Sequence, residues 1–135
     1  MTVPIGQLRG VDAALAETLK GLGLNDSAKF LEASRLPADR KALAQKAGIS
    51  TDLVLELANR ADLARVKGIA GVYSDLLENA GVDTVAELAK RNPENLAATL
   101  AEVNAGAKFS KRTPPLSFVQ DWVAQAKELG RGIEY

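Results

Sequence analysis

The segment LARVKGIAGVYSDLLENAGV, residues 63–82, decides the fold of this chain. It contains two glycines, Gly68 and Gly71, set between apolar residues, and a third, Gly81, close to its end. Chains use glycine where a turn needs a positive φ or where two backbones approach closely. The segment therefore predicts two helical stretches joined by a tight glycine turn, the second ending at Gly81.

The same pattern occurs earlier, in GVDAALAETLKGLGL at residues 10–24. A shift of 58 residues aligns the two segments without a gap, and it pairs Gly10 with Gly68, Leu19 with Leu77, and Gly23 with Gly81. Self-similarity at a fixed spacing indicates a repeat of one structural unit. We therefore expect two related helical units, residues 1–62 and residues 63–135, that share one core in a compact domain.

Helical spacing and helix-boundary residues recur along the chain. STDLVLELANRADLARV, residues 50–66, carries apolar residues at helical spacing behind a serine and a threonine that can cap a helix. Pro37 and Pro93 suit a first helical position, where the missing N–H has no cost. Gly48 and Gly130 suit helix ends. No segment alternates over the length of a strand, so the sequence predicts an all-α fold of about eight short helices.

The composition excludes several classes of function. The chain has no cysteine and no histidine, which removes thiol nucleophiles, the usual zinc sites and every triad that uses imidazole. Carboxylates remain as potential ligands or acids, but their helical spacing marks none of them for either role. The sequence therefore predicts no enzyme and no cofactor. It also lacks a run of roughly 20 apolar residues and a secretory leader pattern, so we expect a cytoplasmic protein without a membrane partner.

The glycine step resembles a known motif. The order apolar, basic, glycine, apolar, followed by a short helix, resembles the helix-hairpin-helix motif. The later NPENL and LSFVQDWVAQAKEL segments make the chain similar to a bacterial family of tandem helix-hairpin-helix-like repeats, a domain of unknown function. The resemblance covers most of the chain and is clearest over residues 63–129. It implies a fold and no settled function.

In DNA-binding members of that superfamily, the hairpin brings backbone N–H groups at the start of the second helix close to a phosphate. The resemblance implies equivalent positions in the second hairpin, which are Lys67, Gly68, Ile69, Ala70 and Gly71. The equivalent positions in the first hairpin are Arg9, Gly10, Val11 and Asp12. Such contacts read the backbone of a nucleic acid and not its bases.

Both hairpins depart from the pattern at the second glycine of the turn. Ala70 places a methyl group there, and Asp12 places a negative charge where an anion would bind. We therefore expect phosphate binding, if present, at the second hairpin, with Gly71 in part compensating for Ala70. The alternative is that the glycines only form tight turns and allow close helix packing.

A basic segment and three aromatic residues complete the candidate features. AKFSKRTPP, residues 107–115, contains Lys108, Lys111 and Arg112, which can supply phosphate contacts or form a solvated loop. Phe118 and Trp122 lie four residues apart in the last predicted helix, and Tyr73 lies in the hairpin helix beside Gly71. We expect all three to belong to the core.

Two functional hypotheses follow. In the first, the protein is a non-catalytic module that binds the backbone of DNA or RNA weakly, through the second hairpin and the basic segment. In the second, it is a protein-interaction or scaffolding module that keeps the fold without the phosphate site. The 17 basic and 17 acidic side chains give zero net charge, which favours the second hypothesis.

Overall fold

The computed structural model describes residues 2–69, 71–107 and 112–135. Within these ranges the chain forms a 3₁₀ turn, Ile5–Gln7, and eight α-helices: α1 (Ala13–Gly21), α2 (Ser27–Ser34), α3 (Pro37–Ala47), α4 (Thr51–Leu63), α5 (Val72–Asn79), α6 (Val85–Ala89), α7 (Pro93–Ala107) and α8 (Leu116–Leu129). These ranges contain no strand, only an isolated bridge between Pro4 and Asp26. The predicted all-α class is confirmed. None of these helices is long and apolar enough to cross a membrane.

Helix boundaries follow the local signals in the sequence. Side-chain oxygens of Asp26, Ser50 and Thr84 accept hydrogen bonds from first-turn N–H groups of α2, α4 and α6. Such a bond satisfies a donor that the helix itself leaves unpaired. Pro37 begins α3, and Gly48 ends it in the left-handed conformation at φ +70°. The predicted start and end of α3 are therefore confirmed.

The buried apolar side chains form two clusters, whereas the sequence led us to expect one shared core. The first cluster contains residues of the 3₁₀ turn and of α1 to α4, ending at Ala61, together with Ile133. The second cluster begins at Leu63 and continues through α8. The helix α4 thus contributes to both clusters, because its C-terminal end carries apolar residues on both sides of Asp62.

Charged side chains lie near the division between the two clusters. Arg60 of α4 forms ion pairs with Asp75 and Glu78 of α5, and Arg9 pairs with Asp75 at 3.0 Å. Asp62 is 1 % exposed and accepts hydrogen bonds from the Val85 N–H and from a side-chain nitrogen of Arg65, both at 2.8 Å. Buried charges need such partners, and a continuous apolar core would not supply them.

The segment after α8, residues 130–135, returns from the second unit to the first, and we call it the C-terminal strap. Ile133 of the strap is 1 % exposed and belongs to the first cluster. Hydrogen bonds fix both ends of the strap. At its start, Arg65 donates to the carbonyls of Leu129 and Gly130. Near its end, Arg40 donates to the Glu134 carbonyl, and the Glu134 N–H donates to the Arg35 carbonyl. The strap therefore connects the end of α8 with residues of the first cluster.

Candidate nucleic-acid interface

The turns at Gly10 and Gly68 have matching backbone geometry. Their φ angles are +93° and +98°, and the glycines that follow α1 and α5, Gly23 and Gly81, have +83° and +90°. Hydrogen bonds match as well: Val11 N–H to Leu8 carbonyl and Ile69 N–H to Val66 carbonyl, both at 3.1 Å; Leu24 N–H to Leu19 carbonyl and Val82 N–H to Leu77 carbonyl, both at 2.9 Å. Each hairpin thus makes the same turn before and after its helix.

Both turn glycines are packed closely against a side chain. A Cβ atom on Gly68 would lie 3.1 Å from Nε1 of Trp122, and one on Gly10 would lie 3.0 Å from Cδ2 of Leu57. Positive φ and close packing together account for glycine at both positions. This geometry supports the interpretation that Gly68 only forms a tight turn and allows close helix packing. The position that its Cβ atom would take faces Trp122 of α8.

Helix α8 holds the backbone of Lys67. Gln125 accepts a hydrogen bond from the Lys67 N–H at 2.8 Å and donates one to the Lys67 carbonyl at 3.1 Å. The Lys67 side chain is exposed. Ile69 is buried in the second cluster, and its N–H donates a hydrogen bond to the Val66 carbonyl. Two of the candidate backbone donors, on Lys67 and Ile69, are therefore already used within the protein.

The start of α5 is open. Gly71 is its N-cap residue, at φ +56°, and no side chain of the described residues caps the helix. Apart from Gly71 itself and its neighbours in the chain, no described residue has an atom within 4 Å of the position that a Gly71 Cβ would take. The first N–H groups of a helix have no partner inside it, and with the helix dipole they favour an anion.

The start of α1 is closed by its own carboxylate. Asp12 is the N-cap residue, and its Oδ1 accepts a hydrogen bond from the Leu15 N–H at 2.8 Å. The carboxylate therefore occupies the position that a bound anion would take. The expectation that Asp12 removes phosphate binding from the first hairpin stays a prediction.

Two arginines border the start of α5, and the sequence pattern pointed to neither of them at this place. Arg9, predicted for the first hairpin, pairs with Asp75 in the first turn of α5. Arg60 binds the same carboxylate and the Ser74 hydroxyl. Together with Gly71 they line a cleft of only about 20 Å³, room for one water-sized group. Because the cleft is so small, an anion at the start of α5 would bind on the protein surface. The negative charge of Asp75 is balanced there by Arg9 and Arg60.

Part of the predicted site falls outside the described residues. Ala70, Lys108 and Lys111 are not among them. Arg112 is described and exposed. The phosphate track that would join this basic segment to the second hairpin therefore stays a prediction.

The three aromatic residues differ in burial. Trp122 is 2 % exposed in the second cluster, as predicted, and the Tyr73 ring lies 5.3 Å from it and is half-buried. Phe118 is 48 % exposed, so the prediction that it belongs to the core is wrong. Val119, Trp122, Val123 and Ala126 form the buried face of α8, which leaves Phe118 on another face.

Within the described ranges the chain is all-helical, has glycine turns of matching geometry at Gly10 and Gly68, and contains no cluster of three or more potential metal ligands. The chain belongs to a family described as a domain of unknown function, DUF4332, whose match covers residues 9–129. That match ends with α8, so the C-terminal strap lies beyond it. No curated protein and no solved structure matches the chain.

Proposed function

We propose that this protein is a non-catalytic binding module that contacts the backbone of a nucleic acid through its second hairpin. The observation that carries the proposal is the difference between the two helix starts. Helix α5 begins at Gly71 without a side-chain cap among the described residues, whereas α1 is capped by Asp12. An uncapped helix start offers N–H donors and a partial positive charge to a phosphate oxygen.

The proposal includes a helix-hairpin-helix origin for both units. The support for it is the gapless alignment of residues 10–24 with residues 68–82, together with matching φ angles and hydrogen bonds in the two turns. Under this proposal the turn contacts phosphates and not bases, so binding does not depend on the base sequence of the nucleic acid.

The charges around the second hairpin set the expected strength of binding. Lys67 has an exposed side chain, and Arg9 is 46 % exposed beside the start of α5. Asp75 and Glu78 lie on the same helix and reduce the local positive charge. We therefore expect weak binding that decreases steeply with salt, with one or two phosphate contacts and a slope of log K against log salt of about −1 to −2.

A salt titration of binding to labelled duplex and single-stranded DNA tests the proposal. Lys67→Glu removes the exposed ammonium group beside the open helix start and should flatten the slope by about one unit. Lys41→Glu, on the exposed surface of α3, changes the net charge equally and serves as the control. The double variant Lys111→Glu, Arg112→Glu tests the basic segment. Absence of binding by the wild-type protein at low salt would refute the proposal.

A protein-interaction module is the second candidate function, and one observation favours it. Leu116 and Phe118, in the first turn of α8, are 41 % and 48 % exposed. Two large apolar side chains exposed within one helical turn offer contact area to another protein, although two residues apart they lie on different sides of the helix. The variant Leu116→Ser, Phe118→Ser should abolish capture of a specific partner while leaving DNA affinity unchanged. Loss of DNA binding in this variant, with no partner lost, would contradict the second candidate.

A further inference from the structure

A cleft of about 290 Å³ lies between α2 and the C-terminal strap, and the proposed function does not use it. Its apolar lining consists of Ala28 and Leu31 of α2 and Ala61 of α4. Ser27 and Thr2 also line it. Three arginines complete the lining: Arg35, Arg65 and Arg131.

Arg65 is a fixed part of the cleft wall. Its Nη1 atom donates to Asp62 Oδ1 at 2.8 Å and to the Gly130 carbonyl at 3.0 Å, and its Nη2 atom donates to the Leu129 carbonyl at 2.9 Å. The backbone of Gly132 packs directly on Asp62 and Arg65, where a Cβ atom would not fit. This wall is therefore formed before any ligand arrives, which lowers the entropic cost of binding.

The other two guanidinium groups are held much less tightly. The Arg35 side chain is 55 % exposed, and its Nη2 atom lies 4.0 Å from an oxygen of Glu134, itself 46 % exposed. Arg131 is exposed and has no ion pair within the described ranges. Glu32 supplies the one carboxylate among the described lining residues. Planar guanidinium groups bind carboxylate and phosphate oxygens in pairs, which gives both strength and orientation.

We propose that this cleft binds a small organic anion. Its carboxylate or phosphate group lies between Arg35 and Arg131, and its apolar part packs on Ala28, Leu31 and Ala61. The volume of about 290 Å³ is at the lower limit for small-molecule sites, which restricts the ligand to the size of a small metabolite. The cleft thus adds a binding site that is independent of the hairpins.

The first test compares the affinity of the cleft for two head groups, each with and without an apolar tail. Acetate, hexanoate, inorganic phosphate and hexyl phosphate are titrated into the full chain, and the methyl NMR signals of Ala28, Leu31 and Ala61 are followed. Hexanoate or hexyl phosphate should bind more tightly than its head group alone, by up to about fourfold in Kd for each buried CH₂. Comparison of the two hexyl compounds identifies the preferred head group. Absence of methyl shifts at millimolar ligand, or equal Kd values with and without the tail, would overturn the proposal.

The second test uses variants in the cleft. Arg131→Gln and Arg35→Gln should each raise the Kd of the better hexyl compound about tenfold, since each removes one charge-assisted contact. Lys41→Gln removes the same charge outside the cleft and should leave Kd unchanged. Glu32→Gln should lower Kd, because it removes the opposing carboxylate, and Ala28→Leu should weaken binding by filling the cleft. Equal effects of Arg131→Gln and Lys41→Gln would refute the assignment, provided that circular dichroism shows both variants folded.

Discussion

The two hairpins have the same turn and different helix starts. At Gly10 and Gly68 the φ angles agree within a few degrees, and each glycine packs against a side chain of a later helix. The two segments differ at the start of the helix that follows the turn. Asp12 caps α1 with its side chain, whereas the N-cap residue of α5 is Gly71, which has no side chain and lies one position later in the alignment. The two turns therefore share their packing, while the capping of the helix that follows differs between them.

The largest expected effect on stability concerns the positive φ and the close packing that the two turn glycines share. Gly68→Ala and Gly10→Ala should each lower the free energy of unfolding by about 2–3 kcal/mol, because a Cβ atom is strained at this φ and contacts a neighbouring side chain. Urea denaturation measures the change. Gly106→Ala, inside α7, is the control and should be neutral or stabilising by up to about 1 kcal/mol. A small loss at one turn and a large loss at the other would show that the turns are not equivalent.

The second prediction compares Asp75 with Glu17, its partner in the alignment. Asp75 contacts Arg60 and Arg9, whereas Glu17 makes only an exposed contact of 3.8 Å with Lys20. Asp75→Asn should therefore destabilise the protein by about 1–2 kcal/mol, since it weakens the neutralisation of a mostly buried guanidinium group. Glu17→Gln should cost less than about 0.5 kcal/mol. Equal costs in thermal unfolding would contradict a stabilising role of the ion pairs that Asp75 makes with Arg9 and Arg60.

A smaller effect is expected at Asp12. Replacement by alanine removes the cap of α1 and should lower the free energy of unfolding by about 1 kcal/mol, while Asp12→Gly should cost only a few tenths of a kcal/mol. Asp12→Gly also opens the helix start and removes its negative charge. On the proposed function it should strengthen DNA binding at low salt, and Ala70→Gly should strengthen it less. Unchanged DNA binding in Asp12→Gly would show that the first hairpin lies outside any phosphate contact.

The smallest effect is a pH dependence at Glu78. Burial raises the pKa of Glu78 above its usual value; Arg60 opposes this shift, and Glu56, Asp83 and Asp75 add to it. Because the folded protein holds this proton more tightly than the unfolded chain, Glu78 stabilises the fold most below its unfolded pKa. That stability is lost as the pH rises through the folded pKa.

The difference in unfolding free energy between wild type and Glu78→Gln, measured from pH 3 to pH 7, isolates this contribution. Wild type should lose stability relative to the variant as the pH rises. The opposite slope would indicate that the ion pair with Arg60 outweighs burial.

Local chemistry in the sequence was sufficient to predict the helices and many of their ends. Pro37, Gly48 and Ser50 act through neighbouring backbone atoms, so their roles can be inferred without knowledge of the fold. The difference between Asp12 and a glycine at the helix start could be inferred for the same reason.

Features that depend on distant contacts were not predictable. Arg9 was assigned to its own hairpin, but it contacts Asp75 of the other unit. Phe118 has the spacing of a core residue, and only the direction in which α8 packs reveals that it is exposed. The ion pairs that Arg60 of α4 makes with Asp75 and Glu78 of α5 likewise join residues whose proximity the sequence does not reveal.

The strap also has a consequence for the order in which the chain is made. Residues 5–61 leave the ribosome before α8 and Ile133, yet Ile133 is part of their apolar cluster. The N-terminal half therefore keeps an unfilled apolar site until the strap has been translated. Contacts between residues so far apart in the chain slow the final step of folding and prolong the exposure of apolar surface to chaperones and proteases.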